Sequence, residues 1–413
     1  MAAIAADTGP TGLDHWTTRT IAIVALCFAI NMADGIDVTI LSFIAPRVQA
    51  DWAIGADVMG TLFSAGLLGM AIGGMFIAPL ADRFGRRRII LAALVLMSAG
   101  MLASGMVTTV TQFFVLRVLV GAGIGTVLAA MAALAAESAP DHHRNLAVGL
   151  VQAGYPFAAI FTGLVVARLL PVHGWHVLLV GAGAITVVLF PLAWLLLSDA
   201  RTRGNDDSAP QAGVGELFSP AFRGRTLALW GAVFFGLMVL YFIVSWIPKL
   251  SIQAGLSETN GIYAGAIYNC GAFVGTVAMS FLADRIPLGR LVPAMLTCAA
   301  LAMLWFGSVT MGVAATMANA FMIGLLLQGG YNGVWPLAAG SYPSRLRATG
   351  IGWAIGIGRA GAIVGPWMGG QLMAAKASLP LLFGAYCVPL LACAICAFLV
   401  QNATKRNQLV TQN

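Results

Sequence analysis

"LADRFGRRR" at residues 80–88 returns as "LADRIPLGR" at 282–290, with Asp284 standing 202 positions after Asp82. A second signature, Pro140 with Arg144, returns as Pro343 with Arg347, 203 positions on. Two motifs at nearly one offset predict a duplicated unit. Outward from each motif the chain is apolar. Long apolar stretches lie near 20–45, 58–81, 88–108, 111–136, 145–169, 175–197, 226–249, 260–283, 290–308, 313–340, 348–374 and 379–400, which makes twelve. Each suffices to cross a hydrocarbon layer of about 30 Å at ~1.5 Å per helical residue, and lipid admits helices but not open strands.

The expected organisation follows. A tail (1–19) precedes a six-helix bundle (20–197), a linker (198–225) rich in Arg, Asp, Ser, Pro and Gly, a second six-helix bundle (226–400) and a tail (401–413). The fold class is all-α integral membrane, two pseudo-symmetric bundles related as parallel repeats about an axis normal to the membrane. Composition agrees: 60% of residues are hydrophobic and 9% charged, where soluble domains carry roughly a quarter charged.

The net charge of +7 is explained by its distribution. With the amino terminus inside, sixteen of the 22 Lys and Arg residues fall on the cytoplasmic side, four on the opposite face, and Arg117 and Arg359 inside helices. This is the positive-inside pattern, which predicts both termini in the cytoplasm, a multi-pass protein of the inner (plasma) membrane with lipid as its surroundings, and no nucleic-acid partner. The first twenty residues show no apolar core followed by a cleavage site, so the first helix is expected to be retained. Cys27, Cys270, Cys298, Cys387, Cys393 and Cys396 all lie in apolar stretches and read as packing. The five histidines sit near loops without metal-site partners, so neither a metal site nor a membrane enzyme is expected.

"NMADGIDVTI" (31–40) places Asp34 and Asp37 inside an apolar run. A carboxylate at the bilayer centre costs about 2.5–3.5 kcal/mol on insertion scales, so these two must face a cavity, a partner or a proton. Their i, i+3 spacing puts them on one helix face with Asn31 a turn earlier. Arg117, a few residues into the fourth helix from the outer side, is in range of either acid. Two readings stand: a buried ion pair that staples helices, or a pair that takes and releases a proton. Arg359, near mid-depth in the eleventh helix, offers a planar fork suited to an anionic substrate; a structural bond to helix-end carbonyls is the alternative.

The energy source follows by elimination. No lysine is followed by a hydroxyl residue, so no G-x-x-x-x-G-K-[ST] loop exists, and "GIGRAG" (356–361) lies mid-membrane without the strand a dinucleotide site needs. No cofactor is expected; a proton gradient is the remaining source.

"PLADRFGRRR" (79–88) resembles the loop between helices two and three of the major facilitator superfamily, and "RVLVGAGIG" (117–125) its fourth-helix Arg-Gly motif. "DGID" (34–37) and "YPSRLRATGIGWAIGIGRAGAIVGP" (342–366) are similar to its aromatic acid:proton symporter branch. The resemblance implies a proton-coupled symporter, not an enzyme, that imports an aromatic carboxylate such as a hydroxybenzoate by alternating access, as a monomer. Tyr155, Tyr268, Asn269, Gln328, Asn332, Trp335 and Trp353 then join Asn31 and Arg359 as candidates to stack on the ring and bond its substituents. A kink is expected at Pro336.

Asp82, Arg83, Gly85, Arg86, Arg87, Glu137, Arg144, Asp284, Arg285 and Arg347 mark the cytoplasmic turns. They read as topological anchors or as a latch in which Asp82 meets arginines and the positive amino end of helix eleven; the resemblance implies the latch. An exporter or antiporter of small organic molecules would share the twelve helices, but the G-P-x-x-G-G-like signature of exchangers is missing from "QAGYPFAAIFTG" (152–163).

Overall fold

The computed structural model describes residues 16–139, 143–197 and 214–412. All regular structure among them is helical. In chain order the helices are α1 (Thr18–Asp51), α2 (Ala56–Ile72), α3 (Leu80–Phe84), α4 (Arg86–Ser104), α5 (Val110–Ser138), α6 (Arg144–Leu196), α7 (Val214–Leu217), α8 (Arg223–Gln253), α9 (Glu258–Ala283), α10 (Leu288–Ser308), α11 (Val313–Asn332), α12 (Val334–Ala339), α13 (Ser344–Ala374) and α14 (Leu379–Gln412).

Ten spans among the described residues are long and apolar enough to cross a membrane. The other two crossings have specific causes. The long α6 is one hydrogen-bonded run broken at Gly174 (φ 73°, ψ 171°) into two arms, which separates helices five and six without a loop. α13 is long enough at 31 residues, but its many glycines and its arginines lower its hydropathy. The kink expected at Pro336 appears three residues earlier, at Gly333 between α11 and α12, and α2 ends in a π turn over Gly73–Ile77. α14 continues through the carboxy-terminal tail to Gln412.

α1 starts on a reciprocal cap in which the Thr17 hydroxyl accepts from the Thr20 backbone N–H and the Thr20 hydroxyl from that of Thr17, satisfying two orphan donors. Gly85 (φ 93°, ψ 132°) turns the chain from α3 into α4, in a region that disfavours any side chain.

Packing repeats between the halves. In the first, α1 lies on the first arm of α6, α2 on α5, and α4 on the second arm; in the second, α8 lies on α13, α9 on α11, and α10 on α14. The halves meet along α2 with α13, α6 with α9, and α1 with α8. With an even number of crossings, both termini lie at one end of the bundle; the end bearing the α1–α2 and α8–α9 turns is called the far end.

The seam is closed at the far end. Ser42 Oγ lies 2.9 Å from Val244 O and 2.7 Å from Ser245 O, Ser64 Oγ donates to Ile363 O at 2.7 Å, and Arg47 pairs with Glu258 at 2.7 Å. Lys249 Nζ donates to Gln49 Oε1, and Phe63 packs edge-on to Trp246 at 5.0 Å. Gly60 permits the closest approach there: a Cβ on it would stand 2.7 Å from Pro366 O and 3.1 Å from Gly370 Cα.

Candidate functional site

The site grows from α1. Asn31 Nδ2 donates to Val151 O at 2.6 Å and Gln152 Oε1 at 3.3 Å, anchoring α1 to the first arm of α6. One turn on, Gly35 lies so close to Tyr155 that a Cβ would fall 2.5 Å from its carbonyl oxygen. The glycine of "DGID" therefore brings Tyr155 beside the acids.

Asp37 points to α5, where Arg117 Nη1 donates to its Oδ1 at 2.6 Å. Both side chains are almost wholly buried, at 6% and 1% exposed. Arg117 Nη2 donates to Ser104 Oγ of α4 at 2.8 Å, and the guanidinium lies over the Phe113 ring, 5.2 Å from its centroid. One arginine thus ties three helices together. A cavity beside the pair is lined from both halves, by Asp37, Phe63, Met70, Arg117, Tyr241 and Ser245 among others.

Asp34 behaves differently. It is buried, and its Oδ1 has no hydrogen-bond partner among the described residues. Its electrostatic neighbours are Arg359 and Asp37. Arg359 reaches from α13 across the seam, with Nη1 3.8 Å from Met70 Sδ of α2, and the Tyr241 hydroxyl of α8 lies within its hydrogen-bonding reach. No carboxylate among the described residues stands within salt-bridge distance of it. The helix bearing it is held firmly: Trp246 Nε1 donates to Pro366 O at 3.0 Å and the Tyr386 hydroxyl to Gly365 O at 2.5 Å, and Tyr386 stacks on Phe242 at 3.6 Å.

Three tyrosines, Tyr155, Tyr241 and Tyr331, lie within electrostatic reach of these charges, and a fourth, Tyr268, within reach of Tyr155. The Tyr155 hydroxyl is within electrostatic reach of Tyr241, Tyr268, Asp34 and Asp37, and that of Tyr331 within reach of Tyr241 and Arg359. Tyr155 and Tyr268 stand out in the sequence as candidates. Tyr241 and Tyr331 are not among the sequence candidates, since only what packs against them in the fold, Arg359 above all, places them at the site.

Other candidates lie elsewhere or are already engaged. Asn31 spends its amide on α6, and Asn269 Nδ2 donates to Gly265 O of its own helix at 2.9 Å. Gln328 donates to Asn332 at 3.3 Å and Asn332 to Thr276 Oγ1 at 2.7 Å, a chain that joins α11 to α9. Trp335 sits edge-on to Tyr331, with centroids 6.0 Å apart. Trp353 stacks on Trp230 toward the terminal end, its centroid 6.1 Å away.

Among the turn residues, Arg87 Nη2 donates to Trp194 O at 2.9 Å and its guanidinium lies 4.9 Å from that ring's centroid, docking the loop on the second arm of α6. Arg83 lies over Phe84 at 5.7 Å. Arg86 opens α4, Asp284 follows α9, and Asp284, Arg285 and Arg347 are exposed. The side chains of Asp82, Glu137 and Arg144 lie outside the described residues.

Residues 27–340 match the model of the Major Facilitator Superfamily. The chain belongs to the major facilitator superfamily. It is a membrane transporter and not an enzyme. Among its curated relatives it is 32% identical over 384 residues to a protein of Pseudomonas aeruginosa named 4-hydroxybenzoate transporter PcaK, covering 85% of this chain and 86% of that one. It is 30% identical over 403 residues to the gallate transporter of Pseudomonas putida, covering 90% of each, and 30% identical over 365 residues to the 3-(3-hydroxy-phenyl)propionate transporter of Escherichia coli, covering 87% and 88%. Among solved structures, a D-xylose–proton symporter superposes with a TM-score of 0.77 at 16% identity, over 92% of this chain and 98% of that one. That likeness establishes the superfamily fold.

Proposed function

We propose that this transporter imports an aromatic carboxylate together with a proton, by alternating access, across the bacterial inner membrane with both termini in the cytoplasm. The observation that supports it most is the division of the buried charges. Asp37 and Arg117 neutralise one another within the first half, while Asp34 and Arg359, from opposite halves, lie within electrostatic reach of each other without an ion pair of their own. A substrate carboxylate docked on Arg359 supplies the missing anion through a bidentate bond. With that charge satisfied, Asp34 faces a neutral pair in a poorly solvated site and favours binding a proton. Anion and proton then assist each other's binding, the thermodynamic condition for symport. The tyrosines around the site suit a ring that is apolar on its faces and polar at its edge.

The relatives' names support the substrate class: 4-hydroxybenzoate, gallate and hydroxyphenylpropionate are all aromatic acids. In this orientation the far end is the outer face, so the closed seam there is an outer gate. The charged turns at residues 82–88 and 284–290 are the inner latch of the opposite state, and the carrier works as a monomer within lipid.

The test is uptake of a radiolabelled panel (benzoate, 4-hydroxybenzoate, gallate and 3-(3-hydroxyphenyl)propionate) by cells expressing the chain. Saturable uptake of at least one acid above vector controls is expected. Uptake at control level for all four, from well-expressed protein, contradicts the proposal.

A further inference from the structure

A hydroxyl inside a membrane helix commonly turns back on its own helix and bonds the carbonyl four residues earlier. Thr39, Ser104, Thr162 and Ser251 do so, at Gly35, Gly100, Ala158 and Ile247. Ser42 does not. Its Oγ crosses from α1 into the other half, where it lies 2.9 Å from Val244 O and 2.7 Å from Ser245 O of α8. All three residues are buried, at 1%, 4% and 4% exposed.

A proline sets that destination. Pro248 lies inside α8, four residues after Val244, and its ring nitrogen carries no hydrogen, so Val244 O receives no donor from its own helix. A buried carbonyl left in that condition is disfavoured by its full desolvation, and the Ser42 hydroxyl removes the penalty from the opposite half. α1 carries a similar pattern: "SFIAP" (42–46) corresponds to "SWIP" (245–248), with Ser245 standing 203 positions after Ser42 and a proline inside each helix. Each helix is therefore weakened close to the place where the two meet. The second hydroxyl bond across the seam falls on a comparable turn of α13, where Ser64 Oγ donates to Ile363 O, three residues before Pro366. Ser245 also lines the cavity beside Asp37 and Arg117, and Ser42 lies beyond Asp37 toward the far end of α1.

We propose that the Ser42 hydroxyl is a latch of the far-end gate, supplying across the seam the hydrogen-bond donor that Pro248 withholds from Val244 O. When the halves part at this end the carbonyl loses its donor and α8 has none to replace it, so the gate opens only as water enters to solvate Val244 O. Opening is thereby tied to wetting of the seam beside the Asp37–Arg117 pair, whatever substrate is carried.

The experiment is hydrogen–deuterium exchange of the full chain in lipid nanodiscs, read by mass spectrometry on peptides covering residues 43–54 and 244–257. Exchange of such segments follows their opening equilibrium. Ser42→Ala removes the cross-seam donor and should speed exchange in both peptides by about two- to tenfold, the equivalent of one net hydrogen bond. Pro248→Ala gives α8 its own donor for Val244 O, so adding Ser42→Ala in that background should have little further effect. Unchanged exchange in Ser42→Ala overturns the latch by itself, even should Pro248→Ala fail to fold. Equal acceleration by Ser42→Ala with and without Pro248 also overturns the proposal, because the bond would then not stand in for the missing donor. The readout needs no substrate, so its outcome is separate from that of the uptake panel.

Discussion

Asp34 and Arg359 lie within electrostatic reach of each other across the seam between the two halves, one from α1 and one from α13, and neither forms an ion pair among the described residues. One turn along α1, Asp37 is closed onto Arg117 at 2.6 Å. The two acids of "DGID" therefore have different neighbours: Asp37 is paired within the first half, and Asp34 lies toward the gap between halves.

That division predicts opposite outcomes for two similar substitutions. Asp37→Asn leaves Arg117 buried without its counter-charge, a change that costs roughly 3–5 kcal/mol, so folded yield and melting temperature should fall. Asp34→Asn removes no ion pair; yield should stay normal while accumulation against a gradient falls by more than about tenfold, the equivalent of ~1.4 kcal/mol. Size-exclusion yield in detergent, set beside accumulation of label, checks both. Equal loss of yield in the two variants would contradict the division.

Arg359→Lys keeps the positive charge and loses the fork. The loss of one charge-assisted hydrogen bond, about 1.5–3 kcal/mol, should weaken apparent affinity by roughly 10- to 150-fold. Uptake measured over a range of substrate concentrations gives the constant, and an unchanged value would remove Arg359 from the substrate site.

The closed far end, the outer gate of the proposed orientation, is tightest at Gly60, where a Cβ would meet Pro366 O at 2.7 Å. Gly60→Leu should wedge α2 from α13, an overpacking cost of about 1–3 kcal/mol that falls only on the state closed outside. In that background a cysteine at position 42, itself buried at the seam, should react faster with an impermeant maleimide from outside, and transport should drop. An unchanged labelling rate would show that the gate tolerates the wedge.

Much of the architecture is legible in the chain itself, for physical reasons. Lipid requires long apolar runs, and a repeated turn motif marks the duplication. The acids of "DGID" and the arginines at 117 and 359 stand out because charge is rare in such runs. Asn31 and Asn269 stand out for the same reason, yet a mid-helix amide can be satisfied by a nearby carbonyl: Asn269 bonds Gly265 O on its own helix and Asn31 bonds Val151 O on α6. Spacing along a sequence does not reveal that. The pairing of Arg117 with Asp37 rather than Asp34 also depends on side-chain direction across two helices. Tyr241 and Tyr331 gain meaning only from what folds against them.

The most direct measurement of proton coupling follows lumenal pH in liposomes containing the purified protein. With substrate at equal concentration on both sides, an imposed inward proton gradient should drive labelled aromatic acid into the lumen above equilibrium. Adding substrate outside without a gradient should acidify the lumen, and Asp34→Asn should abolish both effects. Transport of the label to equilibrium, with no accumulation under the proton gradient and no acidification on substrate addition, would contradict proton symport.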